Sequence, residues 1–283
     1  MAAHPLRLPT EQECERFHID GAVALKGVYQ EDWVDLLRKG VERAMQTEGP
    51  YTRRIQDEGD PAFFTDYVAS DRVPEIRRFV LEGPAAELSA ALMKSRRANF
   101  LFDGIFVKEP GATKKSTWHQ DQPYYCVAGR QIVILWAPLD PVPADVCLNC
   151  VRGSHLWGTA FRPVRFRDGA DFGRGRDDGY HDPPDVDGAH AERILAWDLE
   201  PGDVIAFHGM TIHGAPGNAQ ASRRRRATNS TWVGDDAVYV RRAGVMEPDF
   251  PDCGLAPGDP LDCARFPRVY DAGRELRSPA SPA

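Results

Sequence analysis

The chain has 283 residues, 42% of them apolar and 27% charged, enough to bury a sizeable core without disulfide or metal staples. Asp and Glu outnumber Lys and Arg by 42 to 35, and the resulting net charge of −7 argues against a general phosphate-backbone binder, so no nucleic-acid partner is expected. No apolar run approaches the length of a membrane span and no leader-like apolar stretch opens the chain, so the sequence predicts a cytoplasmic protein whose six irregularly spaced cysteines are mostly free thiols.

Residues 1–97 read as mainly helical. Thr10 followed by Glu11 and Glu13 has the pattern of a helix N-cap with an acidic first turn. Asp20-Gly21 is a turn signal leading into a short apolar strand, Ala22 to Leu25. Trp33, Leu36, Leu37, Val41 and Met45 recur at helical spacing and predict an amphipathic helix over 32–45. Pro84 stands near the start of a second helix reaching Met93. From residue 98 the texture changes to short β-rich runs, 98–102, 104–108, 131–136, 203–207 and 227–240, punctuated by Gly and Pro. Such runs at short intervals predict a mainly β fold with flanking helices, a barrel or double-sheet jelly roll rather than βαβ units. The polar stretch from Arg162 to Ala189 is too long for a hairpin loop and reads as a lid, and the tail from Arg274 reads as frayed.

Trp118-His119-Gln120-Asp121 is the sharpest local signal. His119 and Asp121, two apart on a strand, would point to one face and could reach one metal ion. A further histidine from another strand would complete a two-histidine, one-carboxylate face with positions left open for a cosubstrate and O2, as in non-haem Fe(II) oxygenases. His213 lies 92 residues after Asp121, followed by Gly214 at a turn signal, and the run Arg223 to Arg226 opens the next strand. One guanidinium of that run could grip a dicarboxylate bidentately. His208, five before His213, would face the other side of a continuous strand, and His155 after Gly153-Ser154 reads as structural. Cys147 and Cys150 form a C-x-x-C without the helix of a redox motif or the second pair of a zinc knuckle, so packing is expected of them.

These residues stand in ordered blocks: Phe17 to Val23, Thr117 to Tyr125, Leu135 to Asp140, Gly153-Ser154-His155, Gly202-Asp203, His213-Gly214-Ala215, Asn218, Arg225-Arg226-Ala227 and Trp232 to Asp236. Together they resemble the phytanoyl-CoA dioxygenase family of Fe(II)- and 2-oxoglutarate-dependent oxygenases. The resemblance implies one oxygenase domain over 1–283 built on a double-stranded β-helix, cupin-like, with a jelly-roll core over 98–240, a lid-like insert at 162–198 and a C-terminal extension over 241–283. It implies His119, Asp121 and His213 as iron ligands. It implies Arg225 as the cosubstrate arginine by its Arg-x-Ala context, with Arg224 the alternative by count. Trp136, Thr117 and Lys108 would make further cosubstrate contacts. The expected activity is oxidation of an unactivated C–H of a small molecule, a secondary metabolite or acyl compound, coupled to release of succinate and CO2 from 2-oxoglutarate. The retained Asp121 favours hydroxylation or a related oxidation over halogenation. The rival readings are a catalytically silent scaffold that partners an active homologue, and a jelly-roll metal enzyme without 2-oxoglutarate. The segment Val146 to Gly153 departs from the family pattern and puts its turn in doubt. Neither the prime substrate nor the oligomeric state is legible.

Overall fold

Thr10 closes the N-terminus of α1 (Glu11–Asp20). Its hydroxyl accepts from the Glu13 amide while the Glu13 carboxylate accepts from the Thr10 amide, a reciprocal capping box. Gly21, at φ 79, ends the helix in the left-handed conformation and turns the chain into β1 (Ala22–Leu25). In this computed structural model the described residues are 3–56, 59–164, 179–220, 222–242 and 246–273. The expected lid rests largely on residues 165–178 and the expected frayed tail on 274–283, both outside the described residues.

The main sheet is antiparallel and eight-stranded. Its order is β1, β10 (Val204–His208), β7 (Ile132–Pro138), β12 (Arg225–Val233), β4 (Arg97–Lys108), β3 (Phe63–Tyr67) and β2 (Arg53–Ile55), with β14 (Arg268–Asp271) pairing the start of β4. The second sheet has four strands in the order β5 (Ser116–His119), β11 (His213–Ala215), β8 (Asn149–Val151) and β9 (Ile194–Leu195). A small pair joins β6 (Val127–Ala128) to β13 (Val238–Tyr239). The architecture is a jelly roll with its helices outside.

Strand periodicity splits the main sheet into two apolar faces. Along β7, Val133, Leu135 and Ala137 join the cluster formed by α1, α2 (Glu31–Gln46), α3 (Pro74–Glu82) and α4 (Ala85–Met93). Ile132, Ile134 and Trp136 point the other way, into the cluster shared with Tyr124, Tyr125, Cys150 and Ala215. Two-sided burial is why Ile132 to Pro138 reads as a continuous apolar run rather than an alternation.

Beyond its helices and β1, the segment 1–97 also holds β2 and β3, which extend the main sheet and carry one wall of the cavity described below. Two expectations need correction. The runs 98–102 and 104–108 are one strand, β4, because Asp103 between them turns its buried carboxylate to the Ala69 and Ser70 amides without breaking the pairing. Part of the 162–198 insert is sheet, since Ile194 and Leu195 pair with Val151 and Cys150. Within 241–273, Phe250, Leu261 and Phe266 are buried in the inner cluster.

Candidate active site

The strand β5 delivers His119, and the chain then leaves the pleat. Asp121 has helical dihedrals (φ −79, ψ −44), with the amides of Asp121 and Gln122 both donating to the Gly209 carbonyl. The expectation that His119 and Asp121 share a strand face is therefore corrected: a tight turn, not the pleat, brings the carboxylate round. His213 arrives from β11, directly paired with His119 on β5 and with Cys150 on β8. Gly214 follows it within the strand, paired with Asn149, not at a turn.

The three side chains converge, with candidate ligand atoms all within 4.8 Å of one another. Asp121 Oδ1 lies 3.3 Å from His119 Nε2 and 3.6 Å from His213 Nε2. Each histidine is oriented by the backbone two residues earlier: Nδ1 of His119 donates to the Thr117 carbonyl at 2.7 Å, and Nδ1 of His213 to the Thr211 carbonyl at 3.0 Å. A carbonyl only accepts, so Nδ1 carries the proton and the Nε2 lone pair faces Asp121, the tautomer a metal ligand needs. Burial, with His119 adding to it, lowers the His213 pKa to about 4, so its imidazole is neutral at physiological pH. Burial alone would raise the Asp121 carboxyl, but His213, His119 and the Tyr125 hydroxyl outweigh it and hold the group below its ordinary value. Two imidazoles and one carboxylate fit a divalent transition metal.

The triad opens on a cavity of about 530 Å³ whose walls include Phe63, Thr65 and Tyr67 of β3, Phe106 of β4, Trp136 of β7 and Arg225, Ala227 and Asn229 of β12. Tyr124 and Tyr125 also line it. Arg225 is 7% exposed and donates to the Val146 carbonyl. Burial lowers its pKa only to about 10, so it remains a cation, and among the described residues no carboxylate pairs with it.

Its neighbours are disposed of differently. Arg224 binds Glu109 through Nε and Nη2, each at 3.0 Å, and reaches Glu42. Arg226 grips Asp140 with Nε and Nη2 at 3.1 and 2.8 Å and shares Glu42. Arg224 is thus corrected as a cosubstrate contact: just before β12 begins, its side chain enters an ion-pair network with Glu109 and Glu42 and does not line the cavity. Thr117 is corrected too, because its side chain is exposed and only its carbonyl serves the site, by orienting His119. Lys108 is buried, with Nζ donating to the Pro216 carbonyl at 2.8 Å and lying 4.5 Å from the centre of the Phe63 ring. It does not line the cavity but presses on Arg225, and burial and that repulsion lower its pKa to about 6.

His208 spends both ring nitrogens away from the triad, on the Arg130 carbonyl and the Met210 amide, and His155 contacts the His18 carbonyl. Cys147 and Cys150 are free, fully buried thiols within the inner cluster. Sequence reasoning missed Phe63, Thr65, Tyr67, Phe106 and Asn229. The aromatic and β-branched residues Phe63, Phe64, Thr65 and Tyr67 were the strand signal for the first three, without any polar alternation to mark a face.

A jelly roll with a His–Asp–His face opening on an arginine-bearing cavity defines the class of mononuclear metal oxygenases. The phytanoyl-CoA dioxygenase (PhyH) family profile matches residues 17–227, and the chain belongs to that family. No curated protein matches it. Among solved structures it is similar to the non-haem α-ketoglutarate-dependent carbocyclase SnoK from nogalamycin biosynthesis, at 24% identity over 92% of this chain and 96% of that one, with a TM-score of 0.71. It is similar to the epimerase SnoN in complex with Fe3+, α-ketoglutarate and nogalamycin RO, at 22% identity over 92% and 98% and a TM-score of 0.71. It is also similar to EctD from S. alaskensis with 2-oxoglutarate and 5-hydroxyectoine, at 16% identity over 91% and 86% and a TM-score of 0.64. At these identities the likeness is one of fold. Among the described residues no helix is long and apolar enough to cross a membrane.

Proposed function

We propose that the chain is an Fe(II)- and 2-oxoglutarate-dependent dioxygenase that oxidises an unactivated C–H of a small molecule, a secondary metabolite or an acyl compound, with release of succinate and CO2. The observation that carries this reading is the convergence of His119, Asp121 and His213 on one cavity that also holds the buried cation of Arg225, with which no carboxylate pairs among the described residues. SnoN bound to Fe3+, α-ketoglutarate and nogalamycin RO, and EctD bound to 2-oxoglutarate and 5-hydroxyectoine, support the cofactor pair and a small-molecule substrate.

His119, Asp121 and His213 would hold the iron. When bound with 2-oxoglutarate and O2, iron supplies the oxidising chemistry. The backbone carbonyls of Thr117 and Thr211 fix both imidazoles in the ligating tautomer. Arg225 offers a planar fork to the far carboxylate of 2-oxoglutarate, and its desolvated setting strengthens that contact. Lys108 is not among the lining residues and acts on the site only through Arg225, while Trp136 lines the cavity as a flat apolar wall. The aromatic walls formed by Phe63, Phe106, Tyr124 and Tyr125 exclude water from the reacting carbon. The intact ligand set and arginine favour an enzyme over a silent scaffold.

The test is succinate release from 2-oxoglutarate in the presence of Fe(II). His119→Ala and Asp121→Ala are expected to lower it at least about 100-fold, more than the loss of a supporting residue costs, and Arg225→Met to raise KM for 2-oxoglutarate. Undiminished turnover in both ligand variants overturns the reading.

A further inference from the structure

One row of the main sheet carries hydrogen-bonding groups that the protein itself does not use. Asn229 on β12 pairs with Trp136 on β7 and with Gly104 on β4, and Gly104 pairs with Tyr67 on β3. Trp136, Asn229 and Tyr67 all line the cavity. Asn229 is 7% exposed, yet its Oδ1 is buried with no hydrogen-bond partner among the described residues. Gly104 makes room for this amide: a Cβ there would lie 2.5 Å from that oxygen. The Tyr67 hydroxyl likewise has no hydrogen-bond partner among the described residues, while its ring is held edge-on by Phe102 and Phe106 at 6.2 and 5.9 Å. A native chain seldom leaves a buried amide unpaired without a use for it. The row lies four residues along β12 from Arg225, about 13 Å of strand, so it serves a different part of the cavity from the arginine.

We propose that Asn229 and Tyr67 form a hydrogen-bonding subsite for the prime substrate, and that this substrate is an oxygen-bearing ring compound rather than a bare hydrocarbon chain. The inference rests on the oxygenase reading and narrows its substrate class. Phe63, Phe106 and Tyr124 give flat rings aromatic walls to pack against. A substrate hydroxyl or carbonyl oxygen can accept from the Asn229 amide nitrogen or from the Tyr67 hydroxyl, whereas an alkyl group laid over them offers no acceptor and is disfavoured for that reason.

The test uses two probes of one shape, 2-naphthol and 2-methylnaphthalene, titrated into the full chain loaded with Mn(II) and 2-oxoglutarate. Asn229→Leu is expected to weaken 2-naphthol about ten-fold, the loss of one buried hydrogen-bonding site, while 2-methylnaphthalene and 2-oxoglutarate stay within about two-fold. Tyr67→Phe, which keeps the ring, is expected to move 2-naphthol the same way. The proposal is overturned if the variants leave 2-naphthol binding unchanged, weaken both naphthalenes alike, or weaken 2-oxoglutarate instead. A wild-type chain that does not bind 2-oxoglutarate in the presence of Mn(II) overturns the oxygenase reading itself, a different outcome from intact cosubstrate binding without a naphthol preference.

Discussion

Lys108 is the residue whose burial has the clearest cost. Folded, it loses its proton near pH 6, whereas an unfolded lysine keeps it to 10.5. Between those values folding expels a proton, so stability rises with pH across this window; the cost is absent above 10.5 and complete below 6. Lys108→Met is therefore expected to gain stability relative to wild type, and to gain at least about 1 kcal/mol more at pH 6.5 than at pH 9, a window of more than one pKa unit. Urea denaturation at the two pH values measures this, and an equal effect at both would show that the ammonium is not the source. At this scale the metal face was legible because His119, Asp121 and His213 stand among ordered blocks that resemble one family; the His-x-Asp pair alone is common by chance. Counting left Arg224 and Arg225 both open; in the structure Arg225 and Ala227 line the cavity while Arg224 binds Glu109. Asn229 was illegible, since an unpaired amide means something only once its neighbours across the sheet are known.

Among the elements, α2 was legible from periodicity: of the expected stripe, Trp33, Leu37 and Val41 are buried, and Leu36 and Met45 are partly buried against the same cluster. Its Gly40 carries information of another kind, because a Cβ there would lie 2.7 Å from the Ile76 Cδ1 of α3. The two helices approach closely at that point. Gly40→Ala is expected to be near neutral, helix propensity offsetting a shift of the flexible Ile76 terminus. Gly40→Leu is expected to cost about 2–3 kcal/mol by wedging the helices apart, with urea midpoints and unchanged m-values as the check. The hairpin of β2 and β3 went unread because three- and five-residue strands fall below the length at which alternation separates from chance. The sequence cue for β4 was split by Asp103-Gly104, two residues poor in strand propensity that are kept there by a buried turn and by the Asn229 amide.

For the molecule as a whole, metal and cosubstrate are expected to act as folding ligands. Saturating Mn(II) with 2-oxoglutarate at about 100 times Kd adds about 2.7 kcal/mol to the folded state, or roughly 5 °C in Tm for a chain this long. Thermal denaturation of His213→Ala should lose the shift, and EDTA should reverse it in wild type. A shift that persists in the variant places binding elsewhere.

The iron face belongs to the four-stranded sheet and its flanking turn, while Arg225 belongs to the eight-stranded one. Under the proposed reading, a diacid anchored at both would act as a strut between the layers, and the gap between them as a ruler. Oxaloacetate, one carbon shorter, and 2-oxoadipate, one longer, are then expected to bind more weakly than 2-oxoglutarate. Preference for the five-carbon acid would in that case reside in the separation of two sheets rather than in one side chain.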